Sequence, residues 1–236
     1  MRRLVILPFL LVLAYPAGAG AHPALRHGAP NHRVTRSTSS NWSGYAATGS
    51  TFSTVSATWK QPSASCTSAT TYSSFWVGLD GDGSTTVEQT GTDADCSGGT
   101  PRYYAWYEMY PKFPVNLSMP VRAGDTIAAS VTTDGKGNFT LTIRNTTTGR
   151  SFSTTQRLKH ARLASAEVIA EAPSSSGGVL PLANFGTVGF SAAMVNGQAI
   201  GSFHPDRINM VSGSITKAST SALSGGTAFS VTWKHS

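Results

Sequence analysis

From Asn41 onward apolar and polar positions alternate in short runs, and no stretch carries the 3.6-residue spacing of an amphipathic helix. Val55, Ala57 and Trp59 alternate with Ser56 and Thr58 and stop at Gln61-Pro62. Phe139, Leu141 and Ile143 alternate with Thr140, Thr142 and Arg144. That run pairs with residues 126–132 through the turn Asp134-Gly135-Lys136-Gly137-Asn138. A second hairpin turns at Thr148-Gly149 and returns through residues 151–156. Further strands are predicted over residues 164–172, 187–195, 207–211 and 228–234. Short strands at regular spacing without intervening helices predict an all-β chain, an antiparallel sandwich or barrel.

The pattern breaks at the N-terminus. Met1-Arg2-Arg3 is basic, residues 4–14 are apolar, and Ala19-Gly20-Ala21 suits signal peptidase. We expect a signal peptide over residues 1–21, since the apolar run is shorter than the ~20 residues of a membrane span. Residues 22–38, rich in Pro, His and Arg, read as a basic pro-segment or disordered leader, and residues 39–236 as the folded domain. The expected location is extracellular. Charge follows the same division. The chain carries 18 basic and 11 acidic residues, but setting aside Arg2, Arg3, Arg26, Arg33 and Arg36 leaves 13 against 11. A domain of about +2 gives no reason to expect nucleic acid as a partner. Few Lys or Glu stand among the many Ser and Thr of the strands, which limits self-repulsion in acid and predicts acid tolerance.

Cys66 and Cys96 lack the spacing of a redox or zinc pair, and in an exported chain they are expected to form a disulfide. Closing that loop stabilises by roughly 3–4 kcal/mol on the chain-entropy account. Between and beyond them chemistry concentrates. Six of the 11 acidic residues (Asp80, Asp82, Glu88, Asp93, Asp95 and Glu108) lie in residues 75–111 with Trp76, Tyr104, Trp106 and Tyr110. We read this stretch as one wall of a groove. Period two places Tyr104, Trp106, Glu108 and Tyr110 on one strand face and Tyr103, Ala105, Tyr107 and Met109 on the other, without saying which faces the core. Glu167, Ile169 and Glu171 share a face further on, with the two carboxylates about 13 Å apart along the backbone. Both are also readable as plain exposed strand glutamates. Ser214-Ile215-Thr216-Lys217 matches S-x-x-K without its companion motifs, and His160, His204 and His235 are too scattered for a metal.

Seven motifs in order make the chain resemble the glutamic peptidases, or eqolisins. They are Asn41-Trp42-Ser43-Gly44, Trp59-x-x-Pro62, Trp76-Val77-Gly78-Leu79-Asp80-Gly81, Gln89-Thr90-Gly91-x-Asp93, Ala105-Trp106-Tyr107-Glu108-x-Tyr110-Pro111, Ala166-Glu167-Val168-Ile169-Ala170-Glu171 and Phe185-Gly186-Thr187-Val188. The resemblance implies a lectin-like, jelly-roll sandwich of two large antiparallel sheets and a secreted acid endopeptidase. It also implies a catalytic Gln and Glu facing each other across a groove. It carries the Gln onto Gln89 and the Glu onto Glu171, with Glu167 as fallback, and puts Asp80, Asp93, Trp76, Trp106 and Glu108 on the groove. Val168 departs from the family's usual Trp and, if it shapes the groove, would alter substrate preference. No cofactor or metal is implied; polypeptide substrates are, along with a monomer that leaves the membrane once the signal is cut. In this frame the leader's Arg26, Arg33 and Arg36 are expected to pair with groove carboxylates. The rival readings are a non-catalytic carbohydrate-binding sandwich with Trp76, Tyr104 and Trp106 as stacking platforms, and a glycosidase using two of Asp80, Glu108 and Glu171.

Overall fold

The computed structural model describes residues 25–27 and 37–236. Fourteen principal strands follow one another: β1 (Trp42–Thr48), β2 (Thr54–Lys60), β3 (Ser74–Leu79), β4 (Val87–Ser97), β5 (Thr100–Tyr110), β6 (Val115–Pro120), β7 (Thr126–Thr133), β8 (Asn138–Asn145), β9 (Arg150–Arg157), β10 (Ser165–Glu171), β11 (Thr187–Val195), β12 (Asp206–Ser212), β13 (Ile215–Thr220) and β14 (Phe229–Trp233). Hydrogen bonds join them antiparallel in the order β9-β8-β7-β2-β11-β14-β13-β12-β1-β10-β3-β4-β5-β6. The path doubles back at β12, which pairs with β13 on one side and β1 on the other. Two sheets therefore lie face to face, with β3 across β2 and β7, and β4 across β7 and β8. The result is the expected antiparallel sandwich. The S-x-x-K tetrapeptide runs into β13, a strand that the alternation did not single out.

Where only one face is covered, the sequence shows it. In β2, Val55, Ala57 and Trp59 are buried between more exposed Thr54, Ser56 and Thr58, and β7 and β8 repeat the pattern. Strands β1, β3, β4 and β10 behave differently, because nearly every position is buried. Their inner faces pack on the other sheet around Phe75, Leu79, Trp59 and Phe190. Their outer faces carry a second apolar cluster of Trp42, Trp76, Trp106, Tyr110, Ile169 and Ile208. Double burial settles the ambiguity in β5: Trp106, Glu108 and Tyr110 face the groove, whereas Ala105 and Met109 join the inter-sheet core. It also settles Val168, which lies in the inter-sheet core and not in the groove as the resemblance had left open. Its replacement of a Trp is a matter of packing.

Cys66 and Cys96 are bonded. Thr38 and Ser39 pair in parallel with Asn209 and Met210. The expected signal peptide, residues 1–21, and most of the expected leader lie outside the described residues.

Candidate active site

Cross-strand register assembles the site. On the groove face Glu167 of β10 stands opposite Gly78 of β3, Gly78 opposite Gln89 of β4, and Gln89 opposite Glu108 of β5. Adjacent strands lie about 4.8 Å apart, so the Glu167 and Gln89 backbones are separated by about 10 Å with only a glycine between them. That glycine is needed. A Cβ on Gly78 would lie 2.9 Å from Trp76 Cζ3 and 3.1 Å from Gln89 Cβ. The next row on this face is Ile169, Trp76, Gly91 and Trp106, and the one after is Glu171, Ser74, Asp93 and Tyr104.

Hydrogen bonds divide the carboxylates into engaged and available ones. Gln89 Nε2 donates to Glu108 Oε2 at 3.1 Å and to the His27 carbonyl at 2.6 Å, and two acceptors on one nitrogen fix which way the amide points. Gln89 Oε1, Glu108 Oε1 and Glu167 Oε2 are buried and have no hydrogen-bond partner among the described residues. All three can accept from a water. Glu171 is placed otherwise: its Oε2 accepts from Trp76 Nε1 at 2.7 Å and its Oε1 from Asn41 Nδ2 at 3.1 Å. The Trp76 ring reaches from Glu171 to the space above Gly78, which puts an indole between Glu171 and Gln89.

Asp93 accepts from Trp106 Nε1 at 2.6 Å, and the Tyr104 hydroxyl lies 2.8 Å from both Asp93 Oδ2 and Asp95 Oδ2. One hydroxyl carries one proton, so a proton on Asp95 completes the second bond. Burial, and then the Asp93 charge, accordingly push Asp95 well above the usual carboxylate range. Asp80 stands at the end of β3 with φ +63°, its two oxygens accepting from the N–H groups of Leu163 and Ala164 at 2.8 and 2.9 Å. It ties the loop that enters β10 to β3, and so helps set where Glu167 stands. Burial raises Glu167, and the charges of Asp80 and Asp82 add to it against the bonds that Ser165 and the Asp82 N–H give. Burial also raises Glu108, opposed by His27.

The leader enters here. Arg26 was expected on a carboxylate, but its guanidinium lies 4.2 Å from the Phe113 ring centroid and donates to the Pro111 carbonyl at 3.2 Å. His27 meets the carboxylates instead, with Nε2 3.2 Å from Asp93 Oδ2 and Nδ1 3.5 Å from Glu108 Oε2. Burial alone would favour the neutral ring, yet Asp93 and then Glu108 hold His27 above its ordinary pKa. Arg33 and Arg36 lie outside the described residues. Sequence reasoning missed Asn41, Asp95 and His27 as parts of this network. Asp95 was signalled by its Asp-x-Asp spacing from Asp93, whereas nothing local marked His27.

The Peptidase A4 family profile matches residues 40–233. Scytalidopepsin B of Scytalidium lignicola is 42% identical over 116 residues, 48% of this chain and 43% of that protein, so the match spans less than half of that relative's length. A crystal structure of scytalido-glutamic peptidase with a transition state analog inhibitor superposes with a TM-score of 0.73 at 31% identity, covering 83% of this chain and 98% of the other. A structure of SCP-B, a member of the Eqolisin family of peptidases, in a complex with the tripeptide Ala-Ile-His gives 0.69 at 30% identity, with the same coverage of 83% and 98%.

Proposed function

The chain belongs to the Peptidase A4 family, and from that premise we propose that it is an endopeptidase in which Gln89 and Glu167 act on the peptide bond. The carrying observation is the Glu167–Gly78–Gln89 row, in which a carboxylate with a free oxygen faces an amide whose N–H already holds a peptide carbonyl. Ionised Glu167 takes a proton from water as the water adds to the substrate carbonyl. The Gln89 amide donates to the oxyanion that forms, and being unable to titrate it does so at any pH. Glu167 then returns the proton to the leaving amine. Glu108 steers the Gln89 amide, and Asp93 and Trp106 wall the groove. We assign the carboxylate role to Glu167 in place of Glu171, because Glu171 is two rows away and holds Trp76 and Asn41 with its two oxygens.

The acidic working range rests on the buried carboxyls. Asp95, Glu88 and Glu108 are raised, with burial as the first cause of each, and such groups are accommodated best when protonated, so the fold suits acid. Glu167 is raised as well, and because it must be ionised to act, its own titration sets the acid limb of the rate. Export is supported by the Cys66–Cys96 bond, which persists in oxidising compartments. Polypeptides are the proposed substrates; the relative solved with Ala-Ile-His accords with a groove that takes extended peptide. Denatured protein and a polysaccharide, each incubated near pH 4 and pH 7, test the reading (the carboxylate range being about 4). Proteolysis in acid, insensitive to pepstatin, is the expected result, with Gln89→Ala and Glu167→Gln each losing on the order of a hundredfold or more. Glu171→Gln is expected to retain far more activity than Glu167→Gln; the reverse order would return the role to Glu171. Polysaccharide cleavage without proteolysis would replace the peptidase reading.

A further inference from the structure

The described part of the leader, residues 25–27, enters the groove and bends at His27. Arg26 forms a one-residue antiparallel bridge with Ser174, N–H to C=O in both directions at 2.9 Å. The His27 N–H donates to Glu108 Oε2 at 3.0 Å, and the His27 carbonyl oxygen accepts from Gln89 Nε2 at 2.6 Å. The last contact sets a register. The donor assigned above to the oxyanion rests on the carbonyl that His27 contributes to its bond with Gly28. Upstream, Leu25 lines a cavity of about 390 Å³ bounded by Tyr72, Arg102, Tyr104 and Phe113. One backbone bridge, a carbonyl on the Gln89 amide and a seated side chain thus hold this segment as a bound peptide is held.

The His27 side chain shows what its seat selects. The ring stacks on the Trp106 indole with centroids 3.8 Å apart and planes 7° from parallel. Asp93 faces one ring nitrogen and Glu108 the other, Asp95 stands behind through the Tyr104 hydroxyl, and Arg26 is the adjoining cation. Asp93 is held in place from the sandwich side by Trp106 Nε1 and Tyr104. A flat face between two carboxylates fits a flat side chain with a donor at each end, which is a protonated imidazole. A leucine there would leave two buried carboxylates without a counter-charge, and a lysine would lose the stacking.

We propose that Trp106, Asp93 and Glu108 form the subsite for the residue on the acyl side of the scissile bond, that it selects histidine, and that the chain's own His27–Gly28 bond is its first substrate. This rests on the peptidase reading above. Water adds across that amide: a C–O bond forms at the His27 carbonyl carbon, the C–N bond breaks, His27 becomes a carboxyl terminus, and Gly28 leaves as a free amine with the transferred proton. No further reactant is needed.

The full chain, purified at neutral pH and shifted to about pH 4, is followed by mass spectrometry and N-terminal sequencing. In parallel it is given quenched peptides carrying Leu-Arg-His-Gly-Ala-Pro, or the same sequence with Leu in place of His. We expect a new N-terminus at Gly28 and a kcat/KM for the His peptide about tenfold or more above that for the Leu peptide, the scale of charged hydrogen bonds. Asp93→Asn should bring that ratio toward one. The peptide pair reads the subsite even if an altered chain folds poorly. Digestion of denatured protein with equal cutting of both peptides, or with no cut after His27, overturns the subsite and leaves the peptidase reading standing. Inactivity toward denatured protein and both peptides overturns both.

Discussion

Gly78 is the residue on which the proposed pair depends, because only a hydrogen side chain leaves Glu167 and Gln89 facing the same space. Gly78→Ala must displace either the Trp76 ring edge or the Gln89 stem. Misplacement on that scale costs on the order of a hundredfold in rate, so we expect kcat to fall by about that factor while the circular-dichroism spectrum is kept. Unchanged kcat would show that the row is not the reacting pair. Asp82 offers a gentler probe. Its charge is one of the causes that raise Glu167, after burial and Asp80. Removing it in Asp82→Asn lets Glu167 ionise at lower pH, and the acid limb of the kcat/KM profile should move to lower pH. A limb that stays in place, or moves up, would separate Glu167 from the titration that limits the rate. Gln89, Glu108, Asp93 and Trp106 were legible in the sequence as a concentrated stretch. The resemblance carried the carboxylate role onto Glu171, and the proposed reassignment to Glu167 rests on register, because residues four apart share a strand face and differ only in what stands across from them.

Strand β4 carries Gln89 toward one end and Cys96 at the other, so the disulfide anchors the element that positions the amide. Cys66→Ser with Cys96→Ser should cost roughly 3 kcal/mol, from the loop of 30 residues that the bond closes. Urea titration of the double variant against the parent measures it, and equal midpoints would mean that strand pairing alone holds the loop. The inner strands β1, β3, β4 and β10 show why pattern reading weakened where function is densest. A strand buried on both faces has no polar side to alternate with. In β4 the sequence Glu-Gln-Thr-Gly-Thr-Asp is polar throughout yet fully covered, its groups meeting each other and the groove. The outer hairpins of β7, β8 and β9 border solvent, and there alternation located the strands to within a few residues.

For the whole molecule the buried carboxyls make stability depend on pH. Glu88 lies on the inner face, and burial, then Asp80, raise it from 4.5 to about 8 against weaker bonds from Thr86 and its own backbone. The folded chain therefore holds a proton that the unfolded chain releases across that window. Stability is fully present below about pH 4.5 and declines as pH rises toward 8. Glu88→Gln removes this loss: it should be more stable than the parent near pH 7 by a few kcal/mol, and about equal in acid. Chemical denaturation at the two pH values reads both, and a variant weakened equally at each would show that Glu88 is held by contacts and not by its proton. The sequence by itself determined the strand periods, the all-β sandwich-or-barrel class that they allow, the cysteine pair, and the stretch where an amide and carboxylates gather. Tertiary structure decided the rest: which glutamate faces Gln89, which face of β5 is the groove, that Val168 belongs to the core, and that His27 reaches Asp93 across the sheet. Alternation is local and assigns a face, whereas register between strands far apart in the chain is set by the packing of both sheets at once.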